Sequence, residues 1–200
     1  NDNDMLMWST SSTSPLLAIP DDNLYRMCPT DLVQAPAIAR MIESKGVEAV
    51  VLIYRGDAWA DGIVNYFEPA FAETGGVILE KIRYAGETTE FSNYLQTAED
   101  IAEEAVAEYG EDKVGVELIA FAEFVTMITQ AQDYETLYNL PWFGSDGTVL
   151  SQQALDDAPT QASHLKIYST YAAPAESELF NDLYDRYYAL VSQPFGYYSA

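Results

Sequence analysis

The sequence predicts an α/β domain organised around a Rossmann-like, doubly wound parallel sheet. Short apolar runs rich in β-branched residues recur along the chain, and longer amphipathic segments separate them. Glycines and prolines stand at many of the junctions. A strand, a helix and a further parallel strand in this order almost always form a right-handed crossover. Repeated crossovers place parallel strands side by side and cover both faces of the sheet with helices.

The first regular elements support this prediction in turn. A helix is predicted over 31–45, because it begins with aspartate, a good N-cap residue, and a glycine follows its end. A strand is predicted over 48–54, where the apolar run is typical of a strand buried on both faces. Asp57 is then expected to cap a second helix, which continues to a pair of glycines.

The same alternation continues to the end of the chain. Strands are predicted at 77–84, 114–121, 140–144 and 165–171. Helices are predicted at 91–109, 123–132, 134–139, 151–157 and 175–191. Residues 1–20 are rich in serine and threonine and contain two prolines, so we expect a loop there. They lack the basic and apolar regions of a secretory signal peptide.

The charge balance argues against two classes of partner. The 200 residues include 32 acidic and 9 basic side chains, which gives a formal net charge of −23. Nucleic-acid binding and docking on anionic lipid both require clustered lysine and arginine. No apolar run approaches the roughly 18–20 residues of a membrane span. The acidic surplus has two interpretations: a solvated surface suited to high salt or an extracytoplasmic setting, or an acidic face for a basic partner.

The sequence also argues against most enzyme classes. One cysteine, Cys28, excludes an internal disulfide and a cysteine-based zinc cluster. One histidine, His164, is predicted at the start of a strand, where a structural role is favoured. The chain has neither a dinucleotide fingerprint nor a Walker loop. A hydrolase that uses Asp57 or Asp146 stays open but has no nucleophile–base pair, so we expect no catalytic residue, no metal and no cofactor.

The loop after the first predicted strand is one candidate binding site, because ligands of doubly wound sheets collect at the carboxyl ends of the strands. Asp57 and Asp61 are spaced to share one helix face. Carboxylates at a helix start normally cap it and complement its dipole, which favours that role over metal binding. Trp59 lies in the first turn, where its ring either projects into a cleft or joins the core.

Two further segments are candidates for binding a zwitterion. In Gly144-Ser145-Asp146-Gly147, after the fourth predicted strand of the domain, Asp146 either accepts hydrogen bonds from a ligand ammonium or forms an Asx turn. In the segment 9–15, six consecutive hydroxyl residues precede a proline. Hydroxyls and free backbone N–H groups in a turn form an anion nest suited to a carboxylate, although such tracts are usually ordinary loops.

In their order along the chain, these pieces resemble the leucine/isoleucine/valine-type branch of the type I periplasmic binding proteins, the extracytoplasmic solute receptors of ABC importers. The resemblance runs from about Met7 to Ala200. The matching pieces are Ser9–Pro15, Tyr25-Arg26, Pro29-Thr30-Asp31 with Gln34, Val50–Tyr54, Asp57–Gly62, Gly86 with Thr88–Ser92, Gly144–Gly147, and Phe180 with Tyr184.

The resemblance implies one lobe of a two-lobed fold that closes on a ligand between its lobes. It assigns 1–30 to the end of the first lobe and a hinge crossing, 31–171 to the second lobe, and 172–200 to the hinge return and a first-lobe helix. It implies an extracytoplasmic, non-enzymatic component of an ABC importer that binds an amino acid, a branched-chain one among the candidates, or a similar zwitterion. The implied partners are the membrane permease subunits. The alternative is the ligand-sensing domain of a receptor or regulator with the same fold.

The resemblance also assigns ligand contacts. Ser11, Ser12 and Thr13 fall where the family grips the ligand carboxylate. Asp146 falls where the family places the acid for the ligand ammonium. An aromatic residue usually occupies the position of Trp59, and a further contact falls at Phe121 to Glu123. The family often has Tyr-Gly at the position of Trp59 and the alanine after it, so the shape of the cleft differs here.

Overall fold

The computed structural model describes residues 5–26, 28–173 and 177–193. These residues fall into two compact units. One unit combines the described residues up to Asp31 with those from Ala172 onward, and the other is continuous over Leu32–Tyr171.

Strands and helices alternate along most of the chain. The strands are β1 (Met7–Ser9), β2 (Leu24–Arg26), β3 (Ala49–Gly56), β4 (Val77–Ala85), β5 (Val114–Ile119), β6 (Trp142–Gly144) and β7 (Tyr168–Ser169). The helices are α1 (Asp31–Ser44), α2 (Ala58–Glu73), α3 (Ser92–Tyr109), α4 (Phe124–Ala131), α5 (Glu135–Asn139), α6 (Gln152–Asp157), α7 (Pro159–Leu165) and α8 (Glu178–Val191). None of the helices in the described part of the chain combines the length and the apolar character that a bilayer crossing requires.

The continuous unit is built on a parallel sheet, here called the main sheet. Among the described residues it has five strands in the order β4-β3-β5-β6-β7, and every neighbouring pair is parallel. The chain passes from β3 to β4 on one side and then returns to β5 on the other side of β3. The strand order therefore reverses between β3 and β5, which is the switch point where such sheets bind ligands.

Side chains of β3, an interior strand of the main sheet, alternate between two apolar layers. Val51 and Ile53 belong to the layer that includes buried residues of α3 and α4. Val50 and Leu52 belong to the layer that includes buried residues of α1 and α2. The predicted doubly wound α/β class is therefore confirmed, because helices pack on both faces of a parallel sheet.

Near residue 165 the predicted strand is largely wrong. Residues 159–165 form the helix α7, and the strand that follows is reduced to Tyr168–Ser169. A proline in the first turn favours the helix start, and Lys166 ends the helix in the left-handed conformation. His164 accordingly lies in the last turn of α7, where its ring stacks on Tyr138 with centroids 4.2 Å apart.

The two ends of the chain also differ from the prediction. The predicted loop over 1–20 contains β1, which pairs in parallel with β2. Such pairing between distant segments leaves no local signal in the sequence. Helix α8 begins at Glu178 after the N-cap Ser177, whose hydroxyl accepts a hydrogen bond from the backbone N–H of Phe180. The earlier start predicted at residue 175 lies outside the described residues. Elsewhere the predicted elements are present, with small shifts at their ends.

A buried carboxylate connects two helices of the continuous unit. Glu99 of α3 accepts hydrogen bonds from the backbone N–H groups of Thr136 (2.9 Å) and Leu137 (2.7 Å). These groups belong to the first turn of α5, whose own N-cap residue, Tyr134, makes no side-chain cap. Glu99 therefore supplies from another helix the cap that α5 lacks.

We expect Glu99→Gln to lower the free energy of unfolding by about 2 kcal/mol, because a neutral amide replaces a charged acceptor and faces buried donors with its own N–H groups. Urea denaturation measures the change. Glu103→Gln, an exposed position on the same helix, is the control and is expected to change the stability by less than about 0.5 kcal/mol. Equal losses from the two substitutions would contradict the capping role.

Candidate functional site

The carboxyl ends of β3, β5 and β6 meet at the switch point of the main sheet. Four of the residues assigned by resemblance, Trp59, Phe121, Glu123 and Asp146, lie directly after these three strands. We call this group the carboxyl-edge cluster. Parallel strands bring it together, because they present all their carboxyl ends at one edge.

An aromatic stack forms the apolar part of the cluster. The rings of Trp59 and Phe121 are nearly parallel, with an interplanar angle of 16° and centroids 4.1 Å apart. Phe121 is 41% exposed, whereas Trp59 packs against the edge of the layer under α1 and α2. Trp59 therefore contacts the core and also forms part of the candidate site. A methyl group added to Gly147 would lie 3.1 Å from Trp59 and 3.0 Å from Phe121, so a third loop closes on the stack.

Asp57 and Asp61 have structural partners. Asp57 caps α2 as predicted: one carboxylate oxygen accepts from the backbone N–H groups of Trp59 (3.1 Å) and Ala60 (3.0 Å). Asp61 accepts two hydrogen bonds of 2.9 Å from Arg83, and these bonds lower the pKa of the Asp61 carboxyl against the opposing effect of burial. Across the described ranges, no group of three or more histidine, cysteine, aspartate or glutamate residues is arranged to hold a metal ion.

Glu123 is held by two donors from neighbouring strands. Its Oε1 accepts from Nη1 of Arg55 at 2.9 Å and from the hydroxyl of Tyr84 at 2.9 Å. Arg55 also donates from Nε to Asp57. The bond to Glu123 raises the pKa of Arg55, and burial is the main cause that raises the pKa of the Tyr84 phenol.

Sequence reasoning missed Arg55 and Tyr84 as members of this network. The available signal was the position of Arg55, a basic residue at the carboxyl end of a strand that is buried along most of its length. Tyr84 offered no signal, because its partner Glu123 lies 39 residues further along the chain. Only the parallel arrangement of β3, β4 and β5 brings the three side chains together.

Asp146 begins a 3-10 turn directly after the loop residue Ser145. Its Oδ1 accepts a hydrogen bond of 2.8 Å from Nε2 of Gln34, and that nitrogen also lies 3.1 Å from Oγ1 of Thr170. The cap of the turn is Ser145, whose hydroxyl accepts from the N–H of Gly147. The half-buried Asp146 carboxylate is therefore oriented by Gln34, which the sequence analysis did not include among the binding residues.

The residues Ser11, Ser12 and Thr13 belong to the other unit and form a turn within it. The hydroxyl of Ser9 donates to the hydroxyl of Ser12 at 2.6 Å. Arg26 donates from Nη1 to the carbonyl oxygens of Ser12 (3.1 Å) and Ser14 (2.7 Å). The side chain of Ser11 is exposed and that of Thr13 is buried. The turn is thus held by its carbonyl groups, and its binding of a ligand carboxylate stays a prediction.

A family model and a curated relative match most of the chain. The model described as the receptor family ligand binding region matches residues 1–166. The uncharacterised protein MJ1266 of Methanocaldococcus jannaschii is 32% identical over 176 residues, which cover 85% of this chain. The chain spans only 41% of the length of MJ1266.

Solved structures share the fold. A leucine-binding protein, LivK of Thermotoga maritima, matches 100% of this chain and 54% of its own chain with a TM-score of 0.71 and 18% identity. A solute-binding protein of an ABC transporter from Rhodopseudomonas palustris, solved with 3,4-dihydroxybenzoic acid, matches 98% of this chain and 51% of its own with a TM-score of 0.66 and 15% identity. The likeness confirms the predicted lobe of a type I periplasmic binding protein, and the chain spans about half of each solved protein.

Proposed function

The chain belongs to the family described as the receptor family ligand binding region, and we propose that its carboxyl-edge cluster binds a small organic solute. An amino acid is the first candidate. One observation carries this proposal. The exposed ring of Phe121, stacked on Trp59, and the oriented carboxylate of Asp146 meet at the switch point of the main sheet. A ligand with an apolar side chain and an ammonium group matches both features.

The chemistry of an amino acid supports this choice. The aromatic stack offers apolar surface to the side chain of the ligand. Asp146 accepts charge-assisted hydrogen bonds from the ammonium group, each contributing about 1.5–3 kcal/mol. The turn at Ser11, Ser12 and Thr13 is proposed to bind the carboxylate with its hydroxyl and N–H groups. Several such bonds and one buried side chain add up to about −8 kcal/mol, which corresponds to a micromolar dissociation constant.

The relatives support a biological setting for this binding role. We propose that the protein acts outside the cytoplasm as the solute-binding component of an ABC importer, without a catalytic step, and delivers its ligand to permease subunits. The names of the leucine-binding and dihydroxybenzoate-bound proteins support this class of role. The second candidate is the sensing domain of a receptor or regulator, which the description of the matching family model favours. Permease genes beside the gene for this protein would support the importer, and a fused membrane span with a kinase domain would support the sensor.

A thermal-shift screen of the full-length gene product tests the ligand class. The panel contains leucine, isoleucine, 3,4-dihydroxybenzoate and glucose. A ligand that binds the native state raises the melting temperature by mass action. Stabilisation by leucine or isoleucine supports the amino-acid proposal. Stabilisation by dihydroxybenzoate or glucose alone would overturn it.

We expect Asp146→Asn to weaken leucine binding by more than about tenfold, because the amide that replaces the carboxylate carries no charge to match the ammonium group. Isothermal titration calorimetry measures the dissociation constant. Asp157→Asn changes an exposed carboxylate at the end of α6 and is the matched control. Equal leucine affinity in the two variants would contradict the role assigned to Asp146.

A further inference from the structure

Arg55 bonds two carboxylates, Asp57 and Glu123, in the two segments that carry the rings of the aromatic stack. We infer that Arg55 is a positioning residue that keeps Trp59 and Phe121 stacked, and that Glu123 is the anchor of its guanidinium group. The effect of this role on ligand affinity rests on the proposed function. The arrangement of the stack in the ligand-free chain does not depend on the proposed function. The positioning role and its effect on ligand affinity can therefore be tested separately.

The first connection runs through the start of α2. Arg55 donates from Nε to one carboxylate oxygen of Asp57. The other oxygen of Asp57 accepts from the backbone N–H of Trp59, the second residue of the helix. Arg55 therefore holds the cap that fixes the first turn of α2, and the first turn sets the position of the Trp59 ring.

The second connection runs through the loop after β5. Arg55 donates from Nη1 to Glu123 at 2.9 Å, which fixes the segment that also carries Phe121. The central carbon of the guanidinium group lies 5.4 Å from the centroid of the Phe121 ring, within the range of a cation–π contact. One cation thus holds the backbone on both sides of the stack and also touches one of its rings.

The shape of the guanidinium group explains why arginine serves here. It presents several N–H donors in a fixed plane, so one side chain bonds two carboxylates at once. A methyl group added to Gly86 would lie 2.8 Å from Nη2, which shows how closely this plane approaches the backbone after β4. A lysine ammonium is a point charge that does not reproduce this bridge.

A second arginine of the same unit provides a matched control. Arg83 of β4 bonds Asp61 through two nitrogens, but this pair is 49% and 38% exposed. The Arg55–Glu123 pair is 24% and 14% exposed and is correspondingly less screened by solvent. Neither Arg83 nor Asp61 forms part of the aromatic stack. Removing Arg83 therefore changes the net charge equally and leaves both connections intact.

Fluorescence of Trp59 in the ligand-free chain tests the positioning role. The background variant Trp8→Phe removes an exposed indole, whereas the buried Trp142 stays as a constant signal. We expect Arg55→Met to increase acrylamide quenching and to shift the emission to longer wavelength, because the freed indole meets more water. Arg83→Met is expected to leave both values unchanged. Arg55→Lys keeps the charge and is expected to behave like Arg55→Met.

Two results would overturn the inference: unchanged quenching in a folded Arg55→Met variant, or full restoration of the parent spectrum by Arg55→Lys. The melting temperature, followed by circular dichroism, shows that each variant is folded. Should Arg55→Met not fold, Arg55→Lys gives the decisive measurement. A positioning role predicts increased acrylamide quenching in variants that still melt cooperatively. A general loss of stability does not explain that result.

Calorimetry with leucine as the probe extends the test to the full-length gene product. We expect Arg55→Met to weaken leucine binding by about tenfold, since a displaced ring no longer covers the side chain of the ligand. Equal affinities for Arg55→Met and Arg83→Met would refute the link to binding. Failure of the parent protein to bind leucine would contradict the proposed amino-acid function, whereas the fluorescence result judges the positioning role on its own.

Discussion

Replacing Glu117 with methionine is expected to remove a large part of the pH dependence of stability and to raise the free energy of unfolding most at alkaline pH. Glu117 lies in the middle of β5, in register with Leu52 of β3 and Phe143 of β6. Both neighbours belong to the apolar layer under α1 and α2. The Glu117 side chain is fully buried, and neither carboxylate oxygen receives a hydrogen bond from any residue that the structure describes.

The direction of the effect follows from proton linkage. Burial in this layer raises the pKa of Glu117 from 4.5 to about 8. Between these values the folded chain keeps a proton that the unfolded chain has released, so the free energy of unfolding falls as the pH rises. Below 4.5 both states hold the proton and this effect disappears. Between pH 5 and pH 8 the shift corresponds to a loss of about 3–4 kcal/mol.

Urea denaturation at several pH values between about 5 and 8 measures this loss. The Glu117→Met profile is expected to be flatter than the parent profile, with the largest gap at the alkaline end, because methionine has a similar length and no charge. Glu104→Gln removes an exposed carboxylate of α3 and is expected to keep the parent slope. Parallel profiles for the parent and Glu117→Met would show that Glu117 is not a buried titrating group.

Replacing Gly147 with alanine is expected to lower the free energy of unfolding by about 3 kcal/mol, at the upper end of the usual cost of overpacking. The added methyl group would lie 2.2 Å from the backbone carbonyl oxygen of Ala120, which is a severe overlap. It would also lie 3.0 Å from Phe121 and 3.1 Å from Trp59, so no direction of movement is open without disturbing the stack.

Chemical denaturation measures the loss of stability in Gly147→Ala, and the fluorescence of Trp59 reports separately on the disturbance of the aromatic stack. Gly115→Ala in β5 is the comparison, because the nearest atoms to the methyl group there lie 3.0 Å away and belong to Pro141 and Phe143, so shifts of a few tenths of an ångström accommodate it. We expect less than half the destabilisation at Gly115. A Gly147→Ala variant as stable as the parent would mean that the loop after β6 does not close on the aromatic stack as described.

The two predictions locate different constraints on the same unit. Glu117 lies inside one apolar layer, on the strand that leads to Phe121. Gly147 lies where three loops converge on the stack. A change at the first is expected to act on stability through protonation, whereas a change at the second acts on stability and on the shape of the site. Binding measurements on both variants therefore separate loss of the fold from loss of the site.

Apolar periodicity and capping are local properties, so they were enough to predict the fold class and most of the elements. The alternation of strands and helices was predicted from these signals, as was the cap that Asp57 provides for α2. The family was predicted from the order of short motifs, and the match over residues 1–166 confirms it. The strand predicted over 165–171 was largely wrong, because Leu165 and Lys166 end the helix α7 and only Tyr168–Ser169 pair with β6.

Which polar side chains bond to one another became visible only in the folded chain. Arg55 and Glu123 are 68 residues apart, and Gln34 and Asp146 are 112 residues apart, so neither pair leaves a local pattern. The cap that Glu99 provides for α5 depends on how two helices pack, not on the sequence of either helix. The buried state of Glu117 depends on the strand order that places β5 between β3 and β6. Periodicity in the sequence specifies which face of a helix or strand is buried. The hydrogen-bond partners of a polar group depend instead on distances in space, and the packing of the whole sheet sets those distances.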